Sequence, residues 1–233
     1  MKVLVLSDVH ANLEALLAVL QIEYDRLIFL GDFIDFGPNP AECIRLIREH
    51  SDIALKGNHD HALAYNMSCK SSEELRSLSQ LIREDFTSKK VNKDQVKYLT
   101  SLSHSRATFF DNFHFFAAHS GANDMYSYIN KDLPDDEFSA SFNDIKENFI
   151  FTGHTHIPYI RKNKDITVIN PGSVGQPRDG DPRASAAIIE NNEAKIIRIE
   201  YDVEKTIEKI NELMNIAEGP KERLVSILRT GKV

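Results

Sequence analysis

Residues 3–35 read VLVLSDVHANLEALLAVLQIEYDRLIFLGDFID, and two short apolar runs in this stretch flank a helical pattern. The runs Val3–Leu6 and Leu27–Leu30 are continuously apolar, which is typical of strands that are buried on both faces. Between them, leucines at positions 13, 16, 17 and 20 fall on one face of a helix, and Asn12 is suited to cap its first turn. The stretch therefore predicts a strand, an amphipathic helix and a second strand.

The same alternation continues for one more unit. Asn39 favours the cap of a second helix with Pro40 at its first position, and Ile53–Leu55 follow as a third apolar run. An order of strand, helix, strand, helix and strand implies parallel strands joined by right-handed crossovers. We therefore predict an α/β fold.

The rest of the chain keeps strands but interrupts this regular order. Residues 61–105 are polar with helical spacing, and they predict a helical excursion that is too short to bury a core of its own. Beyond it, Asn191-Asn192 indicates a turn between two paired strands, and two helices end the chain, the second of them short and placed after Pro220. The later predicted strands are Phe113–Ala117, Phe149–Phe151, Thr167–Ile169, Ala186–Ile189 and Ala194–Ile199.

Composition and charge exclude several classes of function. The chain has 233 residues, 42% hydrophobic and 27% charged, which is the make-up of an ordinary globular protein. A formal charge of −7 argues against a nucleic-acid backbone as the main ligand, and no stretch approaches the ~20 apolar residues of a membrane span. Two cysteines without CxxC spacing, and an N-terminus that soon reaches an aspartate, favour a cytoplasmic protein without a signal peptide. Homo-oligomer formation stays open.

Five of the predicted strands are each followed by a short cluster of Asp, Asn or His side chains. Ligands of open α/β sheets bind outside the carboxyl ends of the strands, so these clusters predict one shared site. Mixed carboxylate and imidazole groups suit Mn, Fe or Zn better than Mg or Ca alone. The clusters are Ser7-Asp8-Val9-His10, Gly31-Asp32-Phe33-Ile34-Asp35, Gly57-Asn58-His59-Asp60, His119-Ser120-Gly121 and Gly153-His154-Thr155-His156.

Taken in order, the motifs D-x-H, G-D-x-x-D, G-N-H-D, H-S-G and G-H-T-H resemble those of the calcineurin-like metallophosphoesterases, in particular the small prokaryotic phosphodiesterases and phosphatases. Any one motif is weak, but all of them in this order are specific. The resemblance implies a four-layer αββα sandwich of two mixed sheets flanked by helices, formed by a single domain over residues 1–233 with the excursion at about 61–105. It also implies hydrolysis of phosphodiesters or phosphomonoesters by a metal-bridging hydroxide.

The resemblance carries over to individual residues. It implies one metal held by Asp8, His10, Asp32 and His156, and a second held by Asp32, Asn58, His119 and His154, with the Asp32 carboxylate as the bridge. The two divalent ions are expected to be manganese, with iron, zinc, nickel or cobalt as alternatives. In the same scheme His59 protonates the leaving oxygen, while Asp35 orients His59 and holds it as an imidazolium.

Two positions depart from the Ser/Thr protein phosphatases of that family. Phe36 stands where those enzymes carry a phosphate-binding arginine, and Asp60 stands where they carry a glutamate. A protein phosphatase of that type is therefore not expected. A small-molecule phosphate ester or nucleotide is the expected substrate, and a dinucleoside polyphosphate hydrolase or nucleotidase is the alternative. A non-catalytic metal-binding scaffold ranks below both, and the acidic balance disfavours a DNA nuclease.

Two candidate substrate contacts lie outside the five motifs. Asn12 is either a helix cap or a phosphate contact, and Arg178 in the loop 171–183 is favoured as a phosphate ligand, whereas Arg183 is assigned a structural role. The phenylalanines at positions 109, 110, 113, 115 and 116 are predicted to belong to the core.

Overall fold

A computed structural model describes residues 1–163 and 165–233. The strands are Lys2–Leu6 (β1), Arg26–Phe29 (β2), Ile53–Ala54 (β3), Ser105–Phe110 (β4), Phe113–Ala118 (β5), Phe149–Phe151 (β6), Tyr159–Asn163 (β7), Ile166–Asn170 (β8), Ala184–Glu190 (β9) and Glu193–Ile199 (β10). The α-helices are Leu13–Val19 (α1), Pro40–His50 (α2), Asn58–Tyr65 (α3), Glu73–Ile82 (α4), Ser88–Lys90 (α5), Lys93–Ser101 (α6), Asp135–Ala140 (α7), Val203–Asn211 (α8) and Glu218–Thr230 (α9). A π-helical segment, Arg83–Thr87, joins α4 to α5. Within the described residues, none of the helices is long and apolar enough to cross a membrane.

In the described part of the chain the strands form two mixed sheets. The first sheet has the order β10-β9-β1-β2-β3, with β1, β2 and β3 parallel and the β9–β10 hairpin antiparallel beside them. The second has the order β4-β5-β6-β8-β7, with a parallel centre and antiparallel edges. The predicted parallel pairing of the first three strands is confirmed. The predicted hairpin is confirmed as well, and its turn residues Asn191 and Asn192 both have positive φ.

The burial of β1 explains why its sequence is apolar throughout. Val3 and Val5 pack in the core between the two sheets, where Phe115 of the second sheet meets them. Leu4 and Leu6 point the other way, into the core beneath α1, α2 and α6. The outer face of the second sheet is covered by α7. The layers thus run helix, sheet, sheet, helix, which confirms the predicted αββα sandwich.

The excursion is helical, as predicted, and it packs on the C-terminal helices. The α4, π-helical and α5 segments form one continuous helical run over Glu73–Lys90. Leu75 and Ile82 of this run are fully buried in a cluster with α8, α9 and Phe36, which belongs to the loop after β2. The excursion is therefore anchored next to the carboxyl ends of the first sheet.

Three details differ from the prediction. The strands β4 and β7 were not predicted; each lies at the edge of a sheet, so its outward side chains need not be apolar. Phe109 does not belong to the core: it is 59% exposed, because edge strand β4 leaves it uncovered. The last helix begins at Glu218, ahead of Pro220. Proline is tolerated in the first turn of a helix because the backbone N–H groups there have no carbonyl partner within the helix, so the N–H that Pro220 lacks costs no hydrogen bond.

Candidate metal centre

All seven side chains predicted as metal ligands meet where the strands end. Six lie in the loops after β1, β2, β5 and β6, Asn58 is the first residue of α3 shortly after β3, and each of the seven is at most 3% exposed. Potential ligand atoms lie within 4.8 Å of one another in the groups Asp8–His10–His156 and Asp32–His119–His154. His59 also lies within this distance of His10 and Asp32. The strand ends of both sheets thus bring together one buried cluster of carboxylates and imidazoles.

Each of the four histidines among the seven candidate ligands bonds to a backbone carbonyl through one ring nitrogen. A carbonyl oxygen can only accept a hydrogen bond, so that ring nitrogen carries the proton and the other has a free lone pair. Such a partner fixes the tautomer of a metal-binding histidine. The donations are His10 Nδ1 to Ile34 at 2.8 Å, His119 Nδ1 to Leu30 at 3.0 Å, His156 Nδ1 to Gln176 at 2.6 Å and His154 Nε2 to Tyr126 at 3.2 Å.

The free nitrogens face other hydrogen-bond acceptors. His10 Nε2 and His156 Nε2 lie 3.2 Å apart, although both carry lone pairs. His119 Nε2 lies 3.0 Å from Asn58 Oδ1, which is also an acceptor, because the Asn58 amide group donates to the Cys69 carbonyl at 2.7 Å. Two acceptors at hydrogen-bond distance repel each other unless a cation lies between them. The donor set therefore fits a metal ion at each of these two places.

The two aspartates complete the same pattern. Asp8 Oδ1 is buried without a hydrogen-bond partner among the described residues, and it lies 3.3 Å from His156 Nε2. Asp32 Oδ1 accepts from the His59 backbone N–H at 2.9 Å, while its Oδ2 lies 3.7 Å from His10 Nε2 and 3.5 Å from His119 Nε2. Asp32 Oδ2 is thus located between the two groups of histidines.

Burial shifts the pKa of each ionisable candidate ligand in the direction that favours the neutral form of the group. It raises the pKa of Asp8 to about 7 and that of Asp32 well above its ordinary value, with Asp60 and Asp8 adding to the effect on Asp32. Burial also lowers the pKa of all four histidines, so the rings are neutral. Neutral imidazole is the form that binds a metal, and a bound cation would hold the carboxylates ionised.

Backbone conformation at the site is strained. Five of the seven candidate ligands, Asp8, His10, Asp32, His154 and His156, have positive φ although they are not glycine. Such residues cost on the order of 1–3 kcal/mol each and persist where surrounding contacts hold them. One such contact is Asp60, whose carboxylate accepts from the backbone N–H groups of Asp32, Phe33 and Gly57 at 2.8, 3.0 and 2.9 Å. Gly57 itself must lack a side chain, because a Cβ there would collide with the Asp32 carboxylate.

Beside the candidate metal ligands lies a hydrogen-bonded pair. His59 Nδ1 bonds to Asp35 Oδ2 at 2.8 Å, as the predicted orienting role requires. Burial, followed by the charges of Arg83 and Arg178, lowers the pKa of His59 well below its ordinary value. The protein groups alone therefore favour a neutral ring rather than the expected imidazolium, because burial and the two arginine charges all act against the charged form. Phe36 packs against His10 and His59, with ring centroids 5.0 and 5.2 Å apart.

Asn12 uses all its hydrogen-bonding groups within the protein. Its Oδ1 accepts from Ala15 N at 3.2 Å, which caps α1, and from Thr206 Oγ1 at 3.1 Å. Its Nδ2 donates to Gly175 O at 3.0 Å and to Tyr201 Oη at 3.1 Å. These contacts favour the cap over a phosphate contact. They also support the turn before Gln176, whose carbonyl orients His156.

Arg178 lies beside the cluster, as a substrate contact would. Its Nη2 donates to Gln176 Oε1 at 2.7 Å, while its Nε is buried and has no partner among the described residues. Its charge adds to burial in lowering the pKa of His10, His154 and His156. Arg178 therefore presents an unused donor next to the candidate metal centre.

Three side chains near the site were missed by sequence reasoning. Arg83 donates to Asp35 Oδ2 at 2.9 Å, Tyr128 packs against His154 with ring centroids 4.4 Å apart and the rings tilted, and Asp60 holds the backbone of the β2 loop. Asp60 stands within the G-N-H-D motif, so its position was a usable signal. Arg83 and Tyr128 come from segments without a motif, and no pattern in the sequence marks them.

Comparison with known proteins agrees with this geometry. A sequence profile of the calcineurin-like phosphoesterase superfamily domain matches residues 1–194. The chain is 32% identical over 229 residues to the protein MJ0912 of Methanocaldococcus jannaschii, covering 88% of this chain and 90% of that protein. It is 25% identical over 213 residues to phosphodiesterase YfcE of Escherichia coli, covering 85% and 92%. The crystal structure of a metallophosphoesterase from Sphaerobacter thermophilus superposes with a TM-score of 0.81 at 30% identity, covering 99% of both chains.

Fold, candidate site and relatives together define the class of the protein, which is a hydrolase of phosphate esters. Within that class, the chain belongs to the calcineurin-like phosphoesterase superfamily, whose members depend on divalent metals.

Proposed function

We propose that the protein hydrolyses small phosphate esters with two divalent ions. One ion would be held by Asp8, His10, Asp32 and His156, and the other by Asp32, Asn58, His119 and His154. The observation that carries this proposal is the pair of close acceptor contacts, His10 with His156 and His119 with Asn58, with Asp32 Oδ2 located between them. Manganese is the proposed metal, because carboxylate, amide and imidazole ligands are combined.

The metals, when bound, supply an activated water and neutralise charge on the phosphate. The residues of the chain orient the ligands and bind the ester. The carbonyl partners of the histidines hold the ring orientations, and Asp60 holds the loop that carries Asp32. Arg178 supports binding of the ester, because its guanidinium charge lies close enough to the candidate ligands to act on His10, His154 and His156.

In this proposal His59 protonates the leaving oxygen. Its Nδ1 is occupied by Asp35, so Nε2 is the nitrogen available for proton transfer. An anionic substrate adjacent to the ring favours the imidazolium, which opposes the effect of burial. Phe36, in place of an arginine beside this pair, presents no group that could bind phosphate. This supports a small ester rather than a phosphoprotein as substrate.

The proposal is tested by hydrolysis of bis-p-nitrophenyl phosphate and p-nitrophenyl phosphate, measured side by side. The protein is treated with a chelator, then supplied with Mn²⁺. We expect turnover only after Mn²⁺ is added, and loss of that turnover in Asn58→Ala. The ratio of the two rates distinguishes a diesterase from a monoesterase. If neither ester is hydrolysed although metals are bound, the proposed ester hydrolysis is wrong, and dinucleoside polyphosphates become the next substrates to assay.

A second prediction concerns Arg178. The variant Arg178→Gln should raise KM for the better ester by about 10- to 100-fold, the value of one or two hydrogen bonds to a charged group. Metal content should be unchanged. Arg183→Gln is the matched control, because Arg183 belongs to the same loop but pairs with Asp181 at 2.6 Å. Equal KM values in wild type and Arg178→Gln would contradict the binding role.

A further inference from the structure

The helical excursion reaches the candidate active site through one charged side chain. Arg83, the first residue of the π-helical segment, donates from Nη1 to Asp35 Oδ2 at 2.9 Å. The same oxygen bonds to His59 Nδ1 at 2.8 Å. A single carboxylate oxygen is thus shared between an imidazole and a guanidinium that are brought together from separate parts of the chain.

These three groups are removed from solvent. Asp35 is fully buried, His59 is 3% exposed and Arg83 is 7% exposed. A buried carboxylate without a counter-charge is costly, and so is a buried guanidinium, so each of the two requires the other. Burial raises the pKa of Asp35 to about 7, and Arg83 acts in the opposite direction. The guanidinium therefore favours an ionised Asp35.

The element that carries Arg83 is firmly anchored. Ile82 and Phe86, on either side of it, are buried in the cluster that the excursion shares with α8 and α9. Arg83 is the first residue of the π-helical segment, and π-helical turns within longer helices are frequent at functional sites. The guanidinium is thus delivered by a packed helical run rather than by a loop.

On the basis of the proposed function, we propose that Arg83 is a positioning residue for the proton-transfer step. Its guanidinium fixes the position of the Asp35 carboxylate, so that Asp35 Oδ2 accepts from His59 Nδ1 and the ring presents Nε2 to the leaving oxygen. Arg83 acts through Asp35 and contacts no substrate. The excursion is therefore part of the catalytic arrangement.

The test compares two esters with different leaving groups, the p-nitrophenyl and the phenyl ester of whichever class the wild type hydrolyses. Nitrophenolate leaves without help, whereas phenolate needs a proton more. We expect Arg83→Gln to lower kcat for the phenyl ester by on the order of tenfold or more, part of the ~10²–10⁴ that acid catalysis contributes. It should change kcat for the p-nitrophenyl ester much less, and KM for neither. Arg83→Lys, which retains the charge, should restore part of the loss.

A double-mutant cycle shows whether Arg83 acts through Asp35. Combining Arg83→Gln with Asp35→Asn should lower kcat for the phenyl ester no further than Asp35→Asn alone, because the two residues act as a unit. In urea unfolding of chelator-treated protein, the two substitutions should likewise destabilise by less than the sum of their separate effects. Arg76→Gln is the matched control: Arg76 lies on α4 of the same run, is exposed, and bonds only weakly to Ser71 O at 3.4 Å.

The outcomes separate this inference from the proposed function. If the wild type hydrolyses neither ester, the proposed function fails and the inference falls with it. If the wild type is active but Arg83→Gln lowers both rates equally, changes neither, or loses metal, the function stands and the positioning role is wrong. Should Arg83→Gln fail to fold, Arg83→Lys gives the same comparison. A loss of kcat confined to the phenyl ester supports the role, and the same ratio of variant to wild-type kcat for both esters contradicts it.

Discussion

Replacing Asp32 with alanine is expected to remove both metals from the protein and to abolish turnover. Asp32 Oδ2 lies between the two groups of histidines, 3.7 Å from His10 Nε2 and 3.5 Å from His119 Nε2, so both ions would lose a ligand at once. The loss of metal affinity should exceed the about 10- to 100-fold that follows removal of an outer partner of a ligand. Metal analysis after gel filtration, together with the Mn²⁺-dependent assay, measures both effects.

A second variant separates metal binding from folding. Asp32→Ala also removes the acceptor for the His59 backbone N–H, which is worth about 1–3 kcal/mol when the donor is buried. Asp32→Asn can keep that acceptor while replacing the other oxygen with an amide nitrogen, which does not bind metals. Both variants should lose both ions, whereas Asp136→Ala, at an exposed position on α7, should keep them. Two tightly bound ions in Asp32→Asn would show that Asp32 is not the bridge.

The meeting of the first ligands could be predicted from the sequence because it depends only on strand order. Asp8, Asp32 and Asn58 follow three parallel neighbouring strands, and the carboxyl ends of such strands share one edge. His119 and His154 are different, since they follow strands of the second sheet. Their meeting with the first group depends on how the two sheets are aligned, which no local pattern encodes. The shared site of all five clusters was predicted from the rule on strand ends alone, and only the family resemblance indicated that two packed sheets contribute to it.

Local geometry at the site lay beyond sequence reasoning. Nothing in a D-x-H motif indicates that Asp8 and His10 both have positive φ, because these conformations are imposed by contacts with other loops. Helical spacing correctly marked Leu75 and Ile82 as apolar positions of the excursion, but it shows neither the π-helical turn that begins at Arg83 nor the contact of Arg83 with Asp35. Long-range contacts of this kind appear only in the folded chain.

The variant His59→Ala is expected to retain both metals and yet lose most turnover of esters with poor leaving groups. His59 supplies only its backbone N–H to Asp32, and a substitution at the side chain leaves that bond intact. Asp35 keeps its partner Arg83 at 2.9 Å, so the variant does not leave an unpaired buried carboxylate. The expected loss is about 10²- to 10⁴-fold in kcat for a phenyl or alkyl ester, the usual contribution of a general acid.

The size of this loss should depend on the leaving group, and that dependence identifies the role. A plot of log kcat against the pKa of the leaving alcohol should be steeper for His59→Ala than for the wild type, because the variant expels the anion without a proton. Added imidazole should restore part of the rate with the poor leaving groups. His61→Ala, two residues further along α3, is the matched control and should follow the wild-type line. Parallel lines for His59→Ala and wild type would show that His59 does not protonate the leaving oxygen, since an acid acts most where the leaving group is least able to depart alone.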